Sequence, residues 1–380
     1  MASLTMPGAL KVRGPYRGAT GYDHHVRAFV RALYDRGVAI QLVDLPEWSP
    51  LALPPTMRDP WFDTLASPVG ADVTLHFSMP HQVQVESNGV NVNYTMFEAS
   101  RIHPVWVACA RAHDMVVVPT ESSRRAWIDS GVPSQRVRLC PLGVDPDLFG
   151  RPATPLPLSH SLEKPLDRYR VRFLNVSGLI PRKNLVGLLR VWLQATTHAD
   201  DAVFVLKVIA EDRERIANLE RHMERVQQEV GKSRHEAAPI CIYADLLPDA
   251  EMPRLYAAAT HYISMSFGEG WDQPMVEAAA AGLELVAPHH SAYTAYLDPP
   301  TAHLIPCREV PVVGENRWFQ FGGARWWEPR EDVAVRVVRS LVRGEAEPKL
   351  SPRDRVLREL TWNRAAERLI ALLDEARGRR

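Results

Sequence analysis

The sequence predicts an α/β protein with two Rossmann-like domains, each built on a doubly wound parallel sheet, that face an interdomain cleft. Three observations support this class. Apolar, strand-like runs alternate with helical segments along most of the chain. A proline-rich stretch at residues 150–168 interrupts this alternation, which then starts again. The apolar run that ends at Met265 precedes a glycine-rich loop and a helix, an order typical of open sheets that bind ligands.

The individual elements follow from periodicity and from helix-stop signals. Residues 21–36 carry apolar side chains at helical spacing and end before Gly37. The remaining elements are predicted from short apolar runs and from the charged or small-residue segments between them. The predicted strands are 38–43, 73–77, 90–94, 115–118, 137–140, 171–176, 203–209, 240–243, 262–265 and 283–287. The further predicted helices are 121–130, 184–195, 211–230, 250–259, one from 275, 331–343 and 352–377.

Two domains are expected from the length of 380 residues. We predict a first domain at 1–165 and a second domain at 166–351. The C-terminal segment 352–380 is predicted to pack back on the first domain. Residues 150–168 would be the linker.

Composition excludes several classes of function. The formal net charge is zero, so no global basic field attracts nucleic acid or a membrane surface. No apolar run approaches the roughly 20 residues that span a bilayer, and the first residues lack a secretory pattern. The four cysteines are scattered without a CxxC pair, which favours reduced thiols and a cytoplasmic protein.

The most informative motif runs from Phe267 to Gly282. It places Glu269 in a glycine-rich loop and Glu277 in the first turns of a helix, with seven residues between them and Pro274 near the helix start. Carboxylates at the carboxyl end of a strand can accept hydrogen bonds from the hydroxyls of a sugar or ribose. The free N–H groups of the helix N-terminus can bind phosphate. Together these features predict a nucleotide-sugar site.

Two glycine-containing loops extend this interpretation. Ser177 and Gly178 end a predicted strand, and Arg182 and Lys183 follow at the start of a helix. This arrangement can clamp a diphosphate, or it can be a solvated pair of cations. The loop Gly14–Gly21 precedes the first long helix but is neither a GxGxxG nor a Walker loop.

The motif at 267–282 resembles the E-x7-E element of family 4 retaining glycosyltransferases, which have the GT-B fold. Segments at 117–124, 141–145 and 177–184 resemble further family motifs in the same order, so the resemblance covers roughly residues 10–300. It implies that Glu277 binds the ribose and Glu269 the transferred sugar, while Lys183 and Arg182 neutralise the leaving diphosphate.

The resemblance also implies supporting contacts to the donor. Backbone amides of the two glycine-rich loops would assist, and side chains or backbone at the ends of two strands would lie near the base. These additional donor-binding residues are Gly270, Trp271, Asp272, Gly18, Gly21, Ser177, Gly178, Tyr243 and Ser266. Enzymes of this family need no metal for their chemistry, so we predict none.

Two positions depart from the family pattern. Ser177 and Gly178 stand where the family has glycine and arginine, and Arg182 can supply the missing charge. Glu98 stands where the family usually has a histidine that faces the transferred sugar. Glu98 can bind a hydroxyl of the nucleotide-sugar or act as a base, or His76, His81 or His103 can enter the site instead.

The predicted activity is transfer of a hexose-like sugar from a UDP- or GDP-sugar to a hydroxyl acceptor, with retention and without a further cofactor. The acceptor stays open among glycan, lipid, small molecule and nucleic-acid base, and so does the oligomeric state. The aromatic segment 317–327 can contact an acceptor or partner, or pack on the second domain. The alternatives are another GT-B enzyme, such as an epimerase or a phosphorylase, and a non-catalytic nucleotide-sugar-binding protein.

Overall fold

The computed structural model describes residues 8–158, 162–209, 213–312 and 319–379. Over these residues the chain divides into two compact units. Unit 1 holds the described residues up to Gly143, those within Pro311–Arg325, and those from Glu359 onward. Unit 2 holds the described residues of Val144–Val310 and Trp326–Arg358.

The strands are short, and most of them are parallel. In chain order they are β1 (Leu10–Arg13), β2 (Ile40–Val43), β3 (Val73–Phe77), β4 (Val90–Tyr94), β5 (Met115–Val118), β6 (Val137–Leu139), β7 (Val171–Gly178), β8 (Ala202–Ile209), β9 (Ile240–Tyr243), β10 (His261–Ile263), β11 (Glu284–Pro288), β12 (His303–Ile305), β13 (Cys307–Pro311) and β14 (Arg325–Pro329).

The helices connect these strands and close the chain. They are α1 (Gly21–Tyr34), α2 (Pro104–Ala110), α3 (Glu121–Asp129), α4 (Pro146–Phe149), α5 (Leu185–Ala195), α6 (Arg213–Val230), α7 (Met252–Ala257), α8 (Gln273–Ala281), α9 (Glu331–Arg343), α10 (Arg353–Glu359) and α11 (Trp362–Gly378).

Unit 1 is built on a parallel sheet in the order β2-β1-β3-β4-β5-β6. Every residue of β3, β4 and β5 is buried, as expected for central strands with both faces covered. The C-terminal helix α11 packs on α1, and the rings of Phe29 and Trp362 lie 5.4 Å apart. The last helix therefore belongs to unit 1.

Unit 2 is built on a second parallel sheet in the order β12-β11-β10-β7-β8-β9. Helices α5, α6 and α9 cover one face with a continuous apolar core that includes Phe173, Trp192, Phe204 and Val338. The chain runs outward from β7 to β9 and then returns to β10 on the other side of β7. The strand order thus reverses between β7 and β10, where open sheets of this type bind ligands. Strands β13 and β14 pair as a separate two-stranded sheet.

The α/β class with two parallel sheets is confirmed, but several boundaries differ from the prediction. The compact units divide after Gly143, earlier than the predicted residue 165, and unit 1 also takes residues from 311–325. The described part of the predicted linker 150–168 lies within unit 2, where the amide of Leu156 donates to the carbonyl of Arg254 (2.9 Å) and Leu166 is buried. Pro-rich sequence here indicates an irregular but packed segment rather than a free connection.

Several elements differ from the prediction, and five besides β1 were not predicted at all: α2, α4, β12, β13 and β14. Strand β1 was not predicted, because Lys11 and Arg13 occupy half of its four positions; both pair with Glu86 at its side. The helix predicted at 352–377 is two helices. Thr361 interrupts it and caps α11, since its hydroxyl accepts from the amide of Arg364 (3.2 Å). Residues 211 and 212 of the predicted helix 211–230 lie outside the described residues.

Candidate functional site

The loops that follow β7 and β10 meet because these strands are neighbours at the centre of the unit 2 sheet. The amide of Phe267 donates to the carbonyl of Arg182 (2.9 Å), and the side chain of Arg182 donates to the carbonyl of Gly268. The β10 loop is thus fastened along the β7 loop. The geometry therefore brings together residues that are about 85 positions apart in the sequence.

Asn184 fixes the point where the β7 loop becomes helix α5. Its backbone is left-handed (φ 49°), a conformation that asparagine tolerates better than most residues. Its side-chain oxygen accepts from the amide of Gly187 (3.1 Å), and its side-chain nitrogen donates to the carbonyl of Met265 (3.0 Å). A Cβ atom at Gly187 would lie 2.6 Å from the Asn184 oxygen, so this cap requires glycine there.

Four charged side chains form a buried cluster between these loops. Glu269 Oε2 lies 2.9 Å from Arg182 Nη1, and its Oε1 lies 2.7 Å from Lys183 Nζ. Asp272 Oδ1 lies 3.5 Å from the same Lys183 nitrogen. The two carboxylates are 4% and 2% exposed and the two cations 11% and 14%. The cluster thus holds two positive and two potentially negative groups almost out of contact with water.

Burial and neighbouring charges shift the pKa values of Glu269 and Asp272 in opposite directions. Burial opposes ionisation of Glu269, but Arg182 and Lys183 outweigh it and lower the pKa of this carboxyl to about 2. Burial raises the pKa of Asp272 to about 6 against the attraction of Lys183, and the charge of Glu269 adds to the rise. Burial also disfavours the charged form of Lys183, yet the two carboxylates raise its pKa. Glu269 is therefore the permanent anion of the site.

Glu277 lies in α8 and is buried beside the cluster's loop. Tyr256, on α7, donates its hydroxyl to Glu277 Oε2 (2.8 Å), and the Gln273 side chain donates to Oε1 (3.3 Å). Of the two predicted acids of the E-x7-E motif, Glu269 thus pairs with cations, and Glu277 accepts hydrogen bonds from Tyr256 and Gln273.

His290 and Ser291, which were not predicted as site residues, hold the backbone of Glu269 in place. His290 Nε2 lies 2.8 Å from the carbonyl of Ser266, so Nε2 carries the proton and Nδ1 accepts from the Ser291 hydroxyl (2.7 Å). Ser291 in turn accepts from the amide of Glu269 (3.2 Å). Burial lowers the pKa of His290 to about 4, so the ring is neutral. The adjacent histidines His289 and His290 are visible in the sequence, but neighbouring histidines do not by themselves indicate this contact.

The other predicted residues of unit 2 lie in the loop after β10 or at the ends of β7 and β9. Gly270 and Trp271 are buried, and the Trp271 carbonyl accepts from the hydroxyl of Tyr296 (2.7 Å). Ser266 is buried and its hydroxyl donates to the carbonyl of Gly268 (3.1 Å). Tyr243 ends β9, with the ammonium of Lys207 5.8 Å from its ring centre.

Ser177 and Gly178 end β7, as predicted from the motif. A Cβ atom at Gly178 would meet nothing within 4 Å, so this glycine is not required by close packing. Arg182, the cation beside Lys183, is engaged with Glu269.

Glu98, Gly18 and Gly21 lie in unit 1. Glu98 is half-buried in the loop after β4. Gly18 donates its amide to Asp23 Oδ1 (2.6 Å), and a Cβ atom there would lie 2.3 Å from the Ser49 Cβ, so the loop needs glycine at this point. Gly21 begins α1, where Thr20 and Asp23 form a capping box.

The three alternative histidines of unit 1 have structural partners. His76 is buried on β3 and lies 3.4 Å from the Asn91 side chain. His81 accepts from the Trp106 indole (2.9 Å), and His103 accepts from the amide of Val105 (3.3 Å) at the start of α2. These contacts explain the presence of each histidine without a ligand.

The described residues of the aromatic segment 317–327 are divided between unit 1 and unit 2. Residues 317 and 318 lie outside the described residues. Phe321 stacks on Phe97 (5.3 Å) in unit 1, while Trp326 stacks on Phe267 (5.7 Å) in unit 2.

Comparison with solved structures finds close overall similarity at low identity. Sucrose-phosphate synthase from Thermosynechococcus elongatus aligns over 98% of this chain and 100% of its own, with 14% identity and a TM-score of 0.67. HepE from Anabaena, solved with UDP-glucose, aligns over 97% and 99% with 12% identity and a TM-score of 0.65. OtsA without ligand aligns over 97% of this chain and 99% of its own, with 12% identity and a TM-score of 0.62. The chain has the GT-B fold.

This likeness establishes the GT-B fold and no more than the fold. No protein-family model matches the chain, and no curated protein sequence matches it. Among the residues that the structure describes, no three or more His, Cys, Asp or Glu side chains are grouped so as to hold a metal ion. Within the same residues, no helix is both long and apolar enough to cross a bilayer.

Proposed function

We propose that this GT-B protein is a retaining, family 4-like glycosyltransferase that binds a nucleotide-diphosphate-sugar in unit 2 and transfers the sugar to a hydroxyl acceptor. One observation carries the proposal. Arg182 and Lys183 lie buried at the reversal point of the sheet and share the carboxylate of Glu269. Cations so placed suit a diphosphate, and a fixed carboxylate beside them suits the hydroxyls of the attached sugar.

The proposed chemistry is the departure of a nucleoside diphosphate. Lys183 and Arg182 neutralise the charge that develops on the diphosphate as the bond to the sugar breaks. Because they are already buried and oriented by Glu269, little reorganisation is needed at that moment. The amides of Gly270, Trp271 and Asp272, which lead into α8, add N–H donors near the phosphates.

The proposed role of Glu277 is to accept hydrogen bonds from the two ribose hydroxyls. Tyr256 and Gln273 each donate to one of its oxygens and so fix the plane of the carboxylate. A carboxylate offers about four lone-pair sites, so the same oxygens can also accept from ribose hydroxyls. The base and phosphate positions would be lined by residues at or just after the ends of β7, β9 and β10, namely Ser177, Gly178, Tyr243 and Ser266.

The nature of the donor and the partners follows by analogy with the fold. HepE was solved with UDP-glucose, which favours a UDP-hexose, with a GDP-sugar as the other candidate. We propose metal-independent transfer in the cytoplasm without a further cofactor. In unit 1, Glu98 would face the transferred sugar or the acceptor hydroxyl, and the loop containing Gly18 and Gly21 would lie near the acceptor.

A thermal-shift screen tests donor binding. UDP, GDP, ADP, TDP, CMP and their common sugar conjugates are added to the wild-type protein, and a ligand of the native state raises the melting temperature by mass action. We expect one nucleotide class to give a shift that is lost in Glu277→Ala. Glu347→Ala, at an exposed position, is the matched control and should keep the shift. No shift with any compound would contradict the proposal.

A second candidate is a nucleotide-sugar-binding protein without turnover. Both oxygens of Glu269 already lie in ion pairs within unit 2, and Glu98 replaces the family histidine. Release of nucleoside diphosphate, followed with a panel of hydroxyl acceptors and with water, separates the two. Binding without any release would favour the second candidate, and release that Glu269→Gln slows would favour the transferase.

A further inference from the structure

Asp272 has an unusual backbone for an acidic residue. It lies just before α8 in the left-handed region (φ 61°), where glycine is the ordinary choice and aspartate carries a steric cost. Its side chain does not cap the helix. The carboxylate instead lies between the loops, 3.5 Å from Lys183 Nζ and 2.7 Å from the Tyr293 hydroxyl. A strained backbone that holds a buried charge in a binding site is a reason to look for a role.

The groups that face Asp272 come from each packed element. Lys183 and Arg182 approach from the β7 loop, Glu269 from its own loop, and Tyr293 from the turn after β11. Tyr293 also bonds to the hydroxyl of Ser264 (2.7 Å), so its orientation is fixed.

Three further tyrosines, Tyr256, Tyr262 and Tyr296, lie close enough to Asp272 to interact with its charge. Burial raises the pKa of each phenol well above its usual value, so all three stay neutral near pH 7.

The charges of the cluster balance before any ligand is bound. Two cations face two carboxylates, and all four side chains are at most 14% exposed. A nucleotide-sugar adds about one negative charge for each of its two phosphates. Excess negative charge in a buried site is costly, and a buried acid commonly becomes neutral instead. Entry of the diphosphate therefore favours loss of one carboxylate charge.

We propose that Asp272 takes up a proton when the diphosphate of a nucleotide-sugar binds beside Lys183. Glu269 keeps its charge because it holds the two short ion pairs, at 2.7 and 2.9 Å, whereas Asp272 holds only the contact at 3.5 Å. The proton comes from solvent and binds Oδ1, the oxygen that Lys183 leaves as its ammonium turns to the phosphate. Tyr293 continues to donate to Oδ2. Asp272 is then a hydrogen-bond donor to the bound ligand. This inference rests on the proposed function.

The pKa of Asp272 in the ligand-free site determines how the affinity for the ligand changes with pH. The pKa of Asp272 is raised, mainly by burial, to about 6 before binding, and the added phosphates raise it further. Between these two pKa values the bound state holds one more proton than the free state. The association constant therefore falls as pH rises above about 6, by roughly tenfold per pH unit. His290 and Glu269 do not titrate in this window, since burial lowers the pKa of His290 to about 4 and the neighbouring cations lower that of Glu269 to about 2.

Isothermal titration calorimetry measures this proton directly. The ligand is a sugar conjugate, with UDP-glucose as the first probe. A free nucleoside diphosphate is unsuitable because its terminal phosphate titrates near pH 6. Titrations at pH 7 in buffers of different ionisation enthalpy give the number of protons bound with the ligand. We expect about one for the wild type and none for Asp272→Asn, whose affinity should also be nearly constant from pH 6 to 7.5.

Suitable variants are available. Asparagine adopts positive φ readily, so Asp272→Asn should fold, and Asp272→Gly suits the same backbone and also lacks the carboxyl. Asp332→Asn, at an exposed aspartate of unit 2, is the matched control and should keep the proton uptake. Uptake that is absent in the wild type, or that persists in both Asp272 variants, would overturn this inference alone. Failure of every sugar conjugate of the panel to bind between pH 5 and 8 would overturn the proposed function itself.

Discussion

The ammonium nitrogen of Lys183 lies 2.7 Å from Glu269 Oε1, and the carboxylate is only 4% exposed. The side chain proposed to bind the sugar thus also holds the cation proposed to bind the diphosphate. The two functions are thus linked through one ion pair. Arg182 Nη1 pairs with the other oxygen, Glu269 Oε2, at 2.9 Å. Changes at Glu269 should therefore separate binding from turnover.

Replacement of Glu269 by glutamine should leave binding of the nucleoside diphosphate intact or tighter, because Lys183 and Arg182 lose a competing carboxylate. The value of kcat/KM should fall roughly tenfold to a hundredfold, as expected for the loss of a charged hydrogen bond to the sugar. Calorimetry of the diphosphate and an assay of its release give the two quantities. Lost binding together with unchanged turnover would show that Glu269 has another role. Glu347→Gln serves as the control.

The Tyr256 hydroxyl should matter only to ligands with a ribose. Tyr256→Phe removes the donor that orients Glu277, so the affinity for UDP should fall several-fold. The affinity for 2′-deoxy-UDP, which lacks one hydroxyl, should change much less. Tyr262→Phe is the matched control, because this buried hydroxyl donates to the carbonyl of Val176 (3.3 Å). Equal losses for both nucleotides would indicate a purely structural role of Tyr256.

Unit 1 should become less stable as pH falls below about 6.5. Burial lowers the pKa of His25 to about 3 and of His76 and His113 to about 4. Between these values and the unfolded pKa near 6.5, the unfolded chain binds protons that the folded chain does not. Each histidine then costs roughly 1.4 kcal/mol per pH unit. Urea unfolding of the wild type at pH 7 and pH 5 measures the loss.

His25→Phe provides the comparison for this pH dependence. The His25 ring already lies among aromatic rings, 5.3 Å from that of Phe77, so phenylalanine is compatible with the site. The variant should lose less stability than the wild type between pH 7 and pH 5. An unchanged pH dependence would show that His25 does not titrate on unfolding.

Glu284 should contribute stability at neutral pH that disappears in acid. A hydrogen bond from His261 and a second from His303 (2.7 Å) lower the pKa of Glu284 to about 2. A depressed carboxyl pKa stabilises the folded state above the unfolded value near 4.3, and this stabilisation is lost as pH falls through about 2. Glu284→Gln should melt below the wild type at pH 6, with the gap closing toward pH 2. A constant gap would contradict the assignment.

The sequence was most informative where local chemistry decides the structure. Strands β3, β4, β5 and β9 begin and end as predicted, because short runs rich in β-branched and aromatic residues stand between polar or turn-forming segments. Glu269, Glu277, Arg182 and Lys183 could be selected because each follows a strand. A glycine or proline marks each of their loops.

The contacts between distant segments could not be predicted. Nothing near Arg182 indicates that its partner is Glu269, because only the order of strands in the sheet brings the β7 and β10 loops together. The left-handed backbone of Asp272 and the support of Glu269 by His290 and Ser291 depend on that same packing. The compact units likewise depend on tertiary contacts of α11 rather than on composition.

The most direct test of the central claim is the affinity of Lys183 variants for the sugar conjugate that gives the largest thermal shift, measured by calorimetry. We expect Lys183→Gln to weaken binding roughly tenfold to a hundredfold, because a charge-assisted contact to phosphate is lost. Lys183→Arg should restore part of the affinity. Lys164→Gln, at an exposed lysine that pairs with Asp201, should change nothing. Equal affinity of the wild type and a folded Lys183→Gln protein would contradict the claim that this site holds the diphosphate.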